Sequence, residues 1–98
     1  MKKLSFVFGI ILLIFSTSVL ATYNLSGSWN NGKEHIFQYK GKLTVFIENK
    51  KRGPFLGWYT GDNSIAVNFT DDGGCCIGNI TGNGEIIRWS NGSKWVKD

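Results

Sequence analysis

The chain has 98 residues, with 11 Lys+Arg against 7 Asp+Glu, two cysteines and one histidine. That length allows one domain, and two cysteines are short of the usual four-ligand zinc site. The charge excess is small and partly N-terminal, which argues against a nucleic-acid partner.

Lys2 and Lys3 form a short positive n-region, and Leu4 to Phe15 is an almost unbroken apolar run. Ser16 to Ala21 turns small and polar, and Val19-Leu20-Ala21 fits the small-residue rule for cleavage after Ala21. An apolar run of about twelve residues is well short of the roughly 20 that span a bilayer. The pattern therefore predicts a signal peptide over 1–21 and a single domain over 22–98. The protein is expected to be secreted (extracellular, or periplasmic in a bacterium), with no stable membrane anchor after cleavage and in an oxidising setting. Without Lys2 and Lys3 the balance is nine against seven, so the remaining basic cluster, Lys50-Lys51-Arg52, reads as a solvated turn. A 77-residue domain buries only about 60% of its unfolded surface. Its four Trp, three Tyr and four of the seven Phe must supply much of the core.

Beyond residue 22 no stretch carries a helical apolar period. Short β-branched and aromatic runs alternate instead with turn signals at Asn30-Asn31-Gly32, Lys40-Gly41, Lys50 to Pro54, Gly61-Asp62-Asn63, Asp71 to Gly74, Asn83-Gly84 and Asn91-Gly92. Seven turns predict eight strands, at 24–30, 33–39, 42–48, 54–60, 64–70, 75–81, 85–90 and 93–97. An all-β, up-and-down antiparallel meander of this size would close into a small barrel, which also removes sheet edges.

Loop length fixes which residues oppose each other. A three-residue loop at 61–63 sets Tyr59 against Ile65, Gly57 against Val67 and Phe55 against Phe69. A two-residue type I′ turn at Asn83-Gly84 sets Ile80 against Ile87, and Gly78 against Trp89 with room for the indole. A four-residue loop at 71–74 sets Phe69 against Cys76. Trp29 to His35 echoes Trp89 to Trp95. A three-residue loop in both would place Trp29, His35, Phe37, Trp89 and Trp95 inside. A two-residue Asn31-Gly32 turn would instead bring in Glu34 and Ile36; the echo favours the first. Leu25, Gly27, Leu43, Val45, Ile47, Val67 and Cys76 complete the expected inner face. Ile36, Phe46, Leu56 and Trp58 then gather outside as an apolar patch, a candidate contact surface with Trp58 as anchor.

Gly27-Ser28-Trp29 resembles the G-x-W opening shared by the calycins, the lipocalin and avidin group of up-and-down barrels. Leu25 to Asn31 is similar to the first avidin strand, and Phe55-Leu56-Gly57-Trp58-Tyr59 to a later one. The resemblance implies a calycin-like barrel and nominates Asn31 and Tyr59 as ligand contacts.

His35 is the lone histidine, and Glu34 beside it would point to the opposite face, so no acid–base pair forms there. Asp71-Asp72-Gly73-Gly74 offers too few oxygens for calcium, which takes six to eight. No catalytic constellation, metal site or cofactor is expected. Cys75 and Cys76 are adjacent, and in a regular strand they would point apart. Three states follow: a vicinal disulfide relaxed by Gly73-Gly74, an intermolecular bond through Cys75, or two thiols. Sequons at Asn24, Asn68, Asn79 and Asn91 predict a glycoprotein in a eukaryote, or are coincidental in an Asn-rich bacterial chain. The leading expectation is an exported non-catalytic binding module for a small hydrophobic ligand or a glycan. Its candidate contacts are Asn31, His35, Trp58, Tyr59, Trp89 and Trp95. The alternatives are an assembly protein that self-associates through the outer patch or Cys75, and a secreted defence protein or protease inhibitor using the Lys50 to Pro54 loop.

Overall fold

The computed structural model describes residues 23–98; the expected signal peptide and its cleavage site lie outside the described residues. Eight strands follow in order: β1 (Gly27–Trp29), β2 (Glu34–Tyr39), β3 (Lys42–Ile47), β4 (Arg52–Gly61), β5 (Ser64–Phe69), β6 (Cys75–Thr81), β7 (Ile86–Trp89) and β8 (Lys94–Val96). Each pairs antiparallel with the next in a single sheet. The sheet returns on itself through a bridge between Trp29 and Lys97. There the Asn30 N–H donates to the Val96 carbonyl (2.7 Å) and the Asp98 N–H to that of Ser28 (3.0 Å). The result is the expected meander, curled into a nearly closed barrel.

Alternation along the strands builds the interior. Leu43, Val45 and Ile47 of β3, Phe55 and Tyr59 of β4, and Ile65, Val67 and Phe69 of β5 are buried, as are Cys76 and Ile80 of β6. Their chain neighbours point outward, as a period of two requires. The predicted pairs Tyr59–Ile65, Gly57–Val67, Ile80–Ile87 and Gly78–Trp89 all occur. Gly78 is a packing necessity: a Cβ there would lie 2.8 Å from Ile87 and 3.0 Å from the Trp89 ring. At Asn83-Gly84 both residues have positive φ (58° and 89°), and the Glu85 N–H closes on the Gly82 carbonyl, as a type I′ hairpin turn requires.

Strand β2 departs from expectation. Ile36 is inside and fully buried, while Phe37 is 53% exposed and His35 lies on the outer face. The β1–β2 turn is the two-residue kind: Asn31 and Gly32 have φ of 58° and 79°, and the Lys33 N–H returns to the Asn30 carbonyl. The Trp89 to Trp95 hairpin instead encloses three residues, with the Trp89 N–H donating to the Ser93 carbonyl. The two echoing segments thus differ by one loop residue, which inverts the face of β2, while β3 onward keeps the expected inner face. The Asp98 carboxylate braces this turn, accepting the N–H groups of Asn31 (2.6 Å) and Gly32 (2.8 Å). A second correction is smaller. A register shift on β5–β6 sets Phe69 opposite Cys75 rather than Cys76, while both Phe69 and Cys76 stay buried.

One end of the barrel is sealed. Tyr23 lies across it, with its ring against Gly84, where a Cβ would come within 2.8 Å, and its hydroxyl donating to Asn63 Oδ1 (3.0 Å). The Tyr59 hydroxyl is 3.0 Å from both the Tyr23 carbonyl and Gln38 Oε1, so one proton serves two acceptors. Gln38 Nε2 also donates to the Tyr23 carbonyl (2.8 Å). Burial pushes the Tyr59 phenol up to about 12, against the smaller opposing pull of Gln38. The folded state therefore holds this proton more tightly than the unfolded chain, so stability is complete below the ordinary value of 10.0 and falls as pH rises toward about 12. Urea titrations from about pH 9 to about pH 12 are expected to show that fall in the wild type. Tyr59→Phe should flatten it and cost about 1 kcal/mol at neutral pH for the lost hydrogen bond. An equally steep alkaline fall in Tyr59→Phe would assign the transition to another group.

Candidate functional site

In a meander, alternate turns fall at the same end. The β1–β2, β3–β4, β5–β6 and β7–β8 turns therefore ring the end opposite Tyr23, and that end is open. Its cavity of about 160 Å³ has a floor of Phe69, Trp89 and Trp95, with Ile47 and Cys76 in the wall. The Trp89 and Trp95 ring centres are 5.0 Å apart at 65°, and Phe69 meets Trp89 edge-on at 5.7 Å. These are ordinary aromatic packing geometries, and they make an angled apolar corner.

The rim is polar and charge-balanced. Glu34, Lys50, Arg52 and Asp72 reach the cavity from three different turns, joined by Asn91 and Ser93 from the fourth. Glu34 Oε1 accepts a hydrogen bond from Asn30 Nδ2 (2.8 Å). Burial nonetheless raises its pKa, because desolvation outweighs that bond. Arg52 grips Asp71 with two 2.7 Å bonds, which hold the Asp71 carboxyl below its usual range and raise the guanidinium. This exposed pair ties the β5–β6 turn to the start of β4.

One atom on the floor is out of balance. The Trp89 indole Nε1 is buried and has no hydrogen-bond partner among the described residues, although Trp89 as a whole is only 5% exposed. Trp29, equally buried, donates its indole N–H to the Leu25 carbonyl at 3.0 Å. Buried donors are nearly always paired; this one is shut off from the cavity as well as from the protein's own acceptors.

The six residues nominated from sequence scatter. Trp89 and Trp95 share the mouth. Asn31 sits at its flank in the β1–β2 turn, with its backbone N–H held by Asp98. Tyr59 is at the sealed end, so it does not converge with Asn31. His35 is on the outer face, stacked on Phe37 at 4.7 Å. Trp58 is outside too, 49% exposed, and forms a groove with Ala66, Ile77 and Cys75.

The outer apolar patch is real but differs in membership. Ile36 leaves it for the core, Phe46 is half-buried, and Phe37, Tyr39 and Ile77 join Leu56 and Trp58. Pairing sets Tyr39, Lys42, Trp58, Ala66 and Ile77 in one row across five strands. The Cys75 and Cys76 sulfurs are in contact with each other, and Cys76 faces both the mouth and the outer groove. All four sequon asparagines are exposed. The Lys50 to Pro54 segment is no free loop, since Arg52 onward already belongs to β4. Among the described residues no group of three His, Cys, Asp or Glu side chains could hold a metal ion.

Sequence reasoning missed Glu34, Lys50, Arg52, Asp72 and Ser93 as mouth residues. The signal was present in the turn order: once a meander is assumed, every second turn shares an end. Comparison with protein-family models, curated proteins and solved structures finds no match to this chain.

Proposed function

We propose that this protein is an exported binding module that holds one small, ring-sized ligand in the open mouth of its barrel and does not transform it. The observation that carries this reading is the open-ended cavity itself, walled by Ile47, Phe69, Cys76, Trp89 and Trp95 beneath a polar rim. The asymmetry of the barrel supports it, with one end stoppered by Tyr23 and the other bounded by four turns. So does the cavity volume of about 160 Å³, close to the ~150 Å³ of an engineered cavity that takes up benzene. The contact between Cys75 and Cys76 is read as a vicinal disulfide formed on export. It would fix the wall between mouth and outer groove.

Native mass spectrometry of the protein secreted by its own source tests the reading. A small non-covalent adduct that leaves on denaturation is expected. Its affinity for Glu34→Ala, which removes an acceptor from the rim, should fall about tenfold, the value of one ordinary hydrogen bond. An adduct retained equally by Glu34→Ala would move the site away from the mouth.

A second reading is favoured by the outer face that carries exposed Phe37, Tyr39, Leu56, Trp58 and Ile77 in two adjacent rows, with Lys42 and Thr44 between them, since clustered exposed apolar residues mark contact surfaces. On that reading the protein acts by assembly. The same spectra decide: a dimer that survives reductant belongs to this face, and one that collapses on reduction belongs to Cys75.

A further inference from the structure

We infer that the outer wall of strands β2 to β6 docks on the surface of an anionic lipid bilayer; the inference is independent of the mouth and uses none of its residues. Pairing sets Tyr39, Lys42, Trp58, Ala66 and Ile77 in one row of the wall, with Phe37, Thr44 and Leu56 in the next. Phe37, Tyr39 and Trp58 are 53%, 73% and 49% exposed. At about 150–250 Å² for a whole aromatic side chain, those fractions leave roughly 260–440 Å² of these three in water. Exposed Leu56 and Ile77 extend the patch. The largest apolar patch of a typical monomer is about 300–600 Å² and is often functional.

Charge decides what fits this wall. Among the described residues Glu34 is the only carboxylate on any of the eight strands, and it lines the mouth. Glu48, Asp62, Asp71, Asp72, Glu85 and Asp98 all lie off the strands. Lys42 stands between Tyr39 and Trp58 in the row itself. Lys40 is beside them, its Nζ 5.5 Å from the centre of the Tyr39 ring. Exposed Arg88 and Lys94 continue the positive charge onto β7 and β8. The wall is thus apolar and cationic. A second copy laid face to face would present the same wall, so Lys42 would be buried with no strand carboxylate to answer it. An unpaired buried charge is costly, and an anionic partner removes that conflict.

Among anionic partners a bilayer fits best. The wall of a barrel is convex, so a rigid protein would need a matching concavity, whereas lipid headgroups conform. Trp and Tyr rings are favoured at headgroup level. Lysine stems lie along apolar surface while their ammonium groups reach out to charge, and each cation near an anionic surface strengthens binding about fivefold. Strands β2, β3 and β5 have six residues each, short of the about 9–11 that cross a bilayer, so the wall lies on the membrane and does not span it.

The experiment is cosedimentation of the protein with unilamellar vesicles of phosphatidylcholine alone and of phosphatidylcholine with an equal part of phosphatidylglycerol. Binding to the mixed vesicles is expected, weakening as salt rises from about 0.05 M to about 0.5 M, with far weaker binding to phosphatidylcholine alone. Trp58→Ala should bind at least about tenfold more weakly, for the half-exposed indole it no longer inserts. Lys42→Gln, a surface change that leaves the core untouched, should bind about fivefold more weakly. Val96→Ser alters an exposed apolar residue on β8, on the opposite side of the barrel from β4, and should bind as the wild type does. Circular dichroism checks that each variant is folded. The inference is overturned if neither vesicle binds the protein, or if Trp58→Ala and Lys42→Gln both bind as the wild type does. A dimer that forms without lipid and is lost in Trp58→Ala, with no vesicle binding, assigns the wall to a second copy and also overturns it.

Discussion

Trp29→Ala is expected to cost about 3–5 kcal/mol, the range for truncating a large buried aromatic, a large share of the domain's stability. A domain of this size has about 4–10 kcal/mol in total on the usual per-residue scale. Trp29 is the largest of the fully buried side chains, and its loss acts in three places. It empties a volume that the short strand β1 cannot collapse to fill. It orphans the Leu25 carbonyl, which accepts the indole N–H at 3.0 Å. It also removes a side-chain contact across the seam, where Lys97 Nζ lies 6.0 Å from the centre of the Trp29 ring beside the backbone bridge between the two residues. A barrel that opens there presents two unpaired edges. Urea denaturation followed by circular dichroism measures the cost, and Trp29→Phe separates the terms. Phenylalanine keeps most of the volume and should lose about 1–3 kcal/mol, mainly for the orphaned carbonyl. If Trp29→Ala melts within a few degrees of the wild type, the seam is not closed by this residue in solution.

The architecture was legible because turn chemistry is local. Asn83-Gly84 and the Gly61 to Asn63 segment carry their own geometry, and the apolar alternation on either side agrees with the pairing they impose. Gly78 opposite Trp89 could be predicted from size alone, since a full indole needs an empty neighbour. Strand β2 could not be read the same way. Asn30-Asn31-Gly32 permits either a two- or a three-residue connection: an Asn-Gly pair closes a two-residue turn at 31–32 and 83–84 but lies in a three-residue loop at 91–92. The tighter form at 31–32 is braced by Asp98, some 66 residues away.

The candidate site was legible only in its apolar half. Trp89 and Trp95 follow from face alternation, but the rim consists of turn residues, each of which reads singly as solvated. Glu34, Lys50, Asp72 and Ser93 become a set only when the barrel brings four turns to one end. The orphaned indole was beyond sequence altogether. Trp29 and Trp89 have similar neighbours in the chain, yet one finds a carbonyl and the other does not. The difference lies in the Leu25 carbonyl, four residues before Trp29 and just ahead of β1, which accepts the indole N–H.

Replacing Ile36 and Phe37 separately tests the face of β2 and, with it, the composition of the mouth. Ile36→Ala is expected to cost about 2–5 kcal/mol, as for other fully buried aliphatic truncations. Ile36 is sealed between Gly27 on β1 and Val45 on β3. Phe37→Ala should cost under about 1 kcal/mol, since it loses only its outer contacts with His35 and Phe46. Thermal midpoints read the difference directly, at roughly 4–8 °C per kcal/mol for a domain of this length. The opposite ranking would mean that the β1–β2 turn holds three residues and that the Trp29 to His35 echo is structural after all. The consequence reaches the site, because Glu34 shares its face with Ile36. If Ile36 is inside, the Glu34 carboxylate stands at the mouth. If Phe37 is inside, His35 takes that place, and the mouth gains a group that can donate as well as accept.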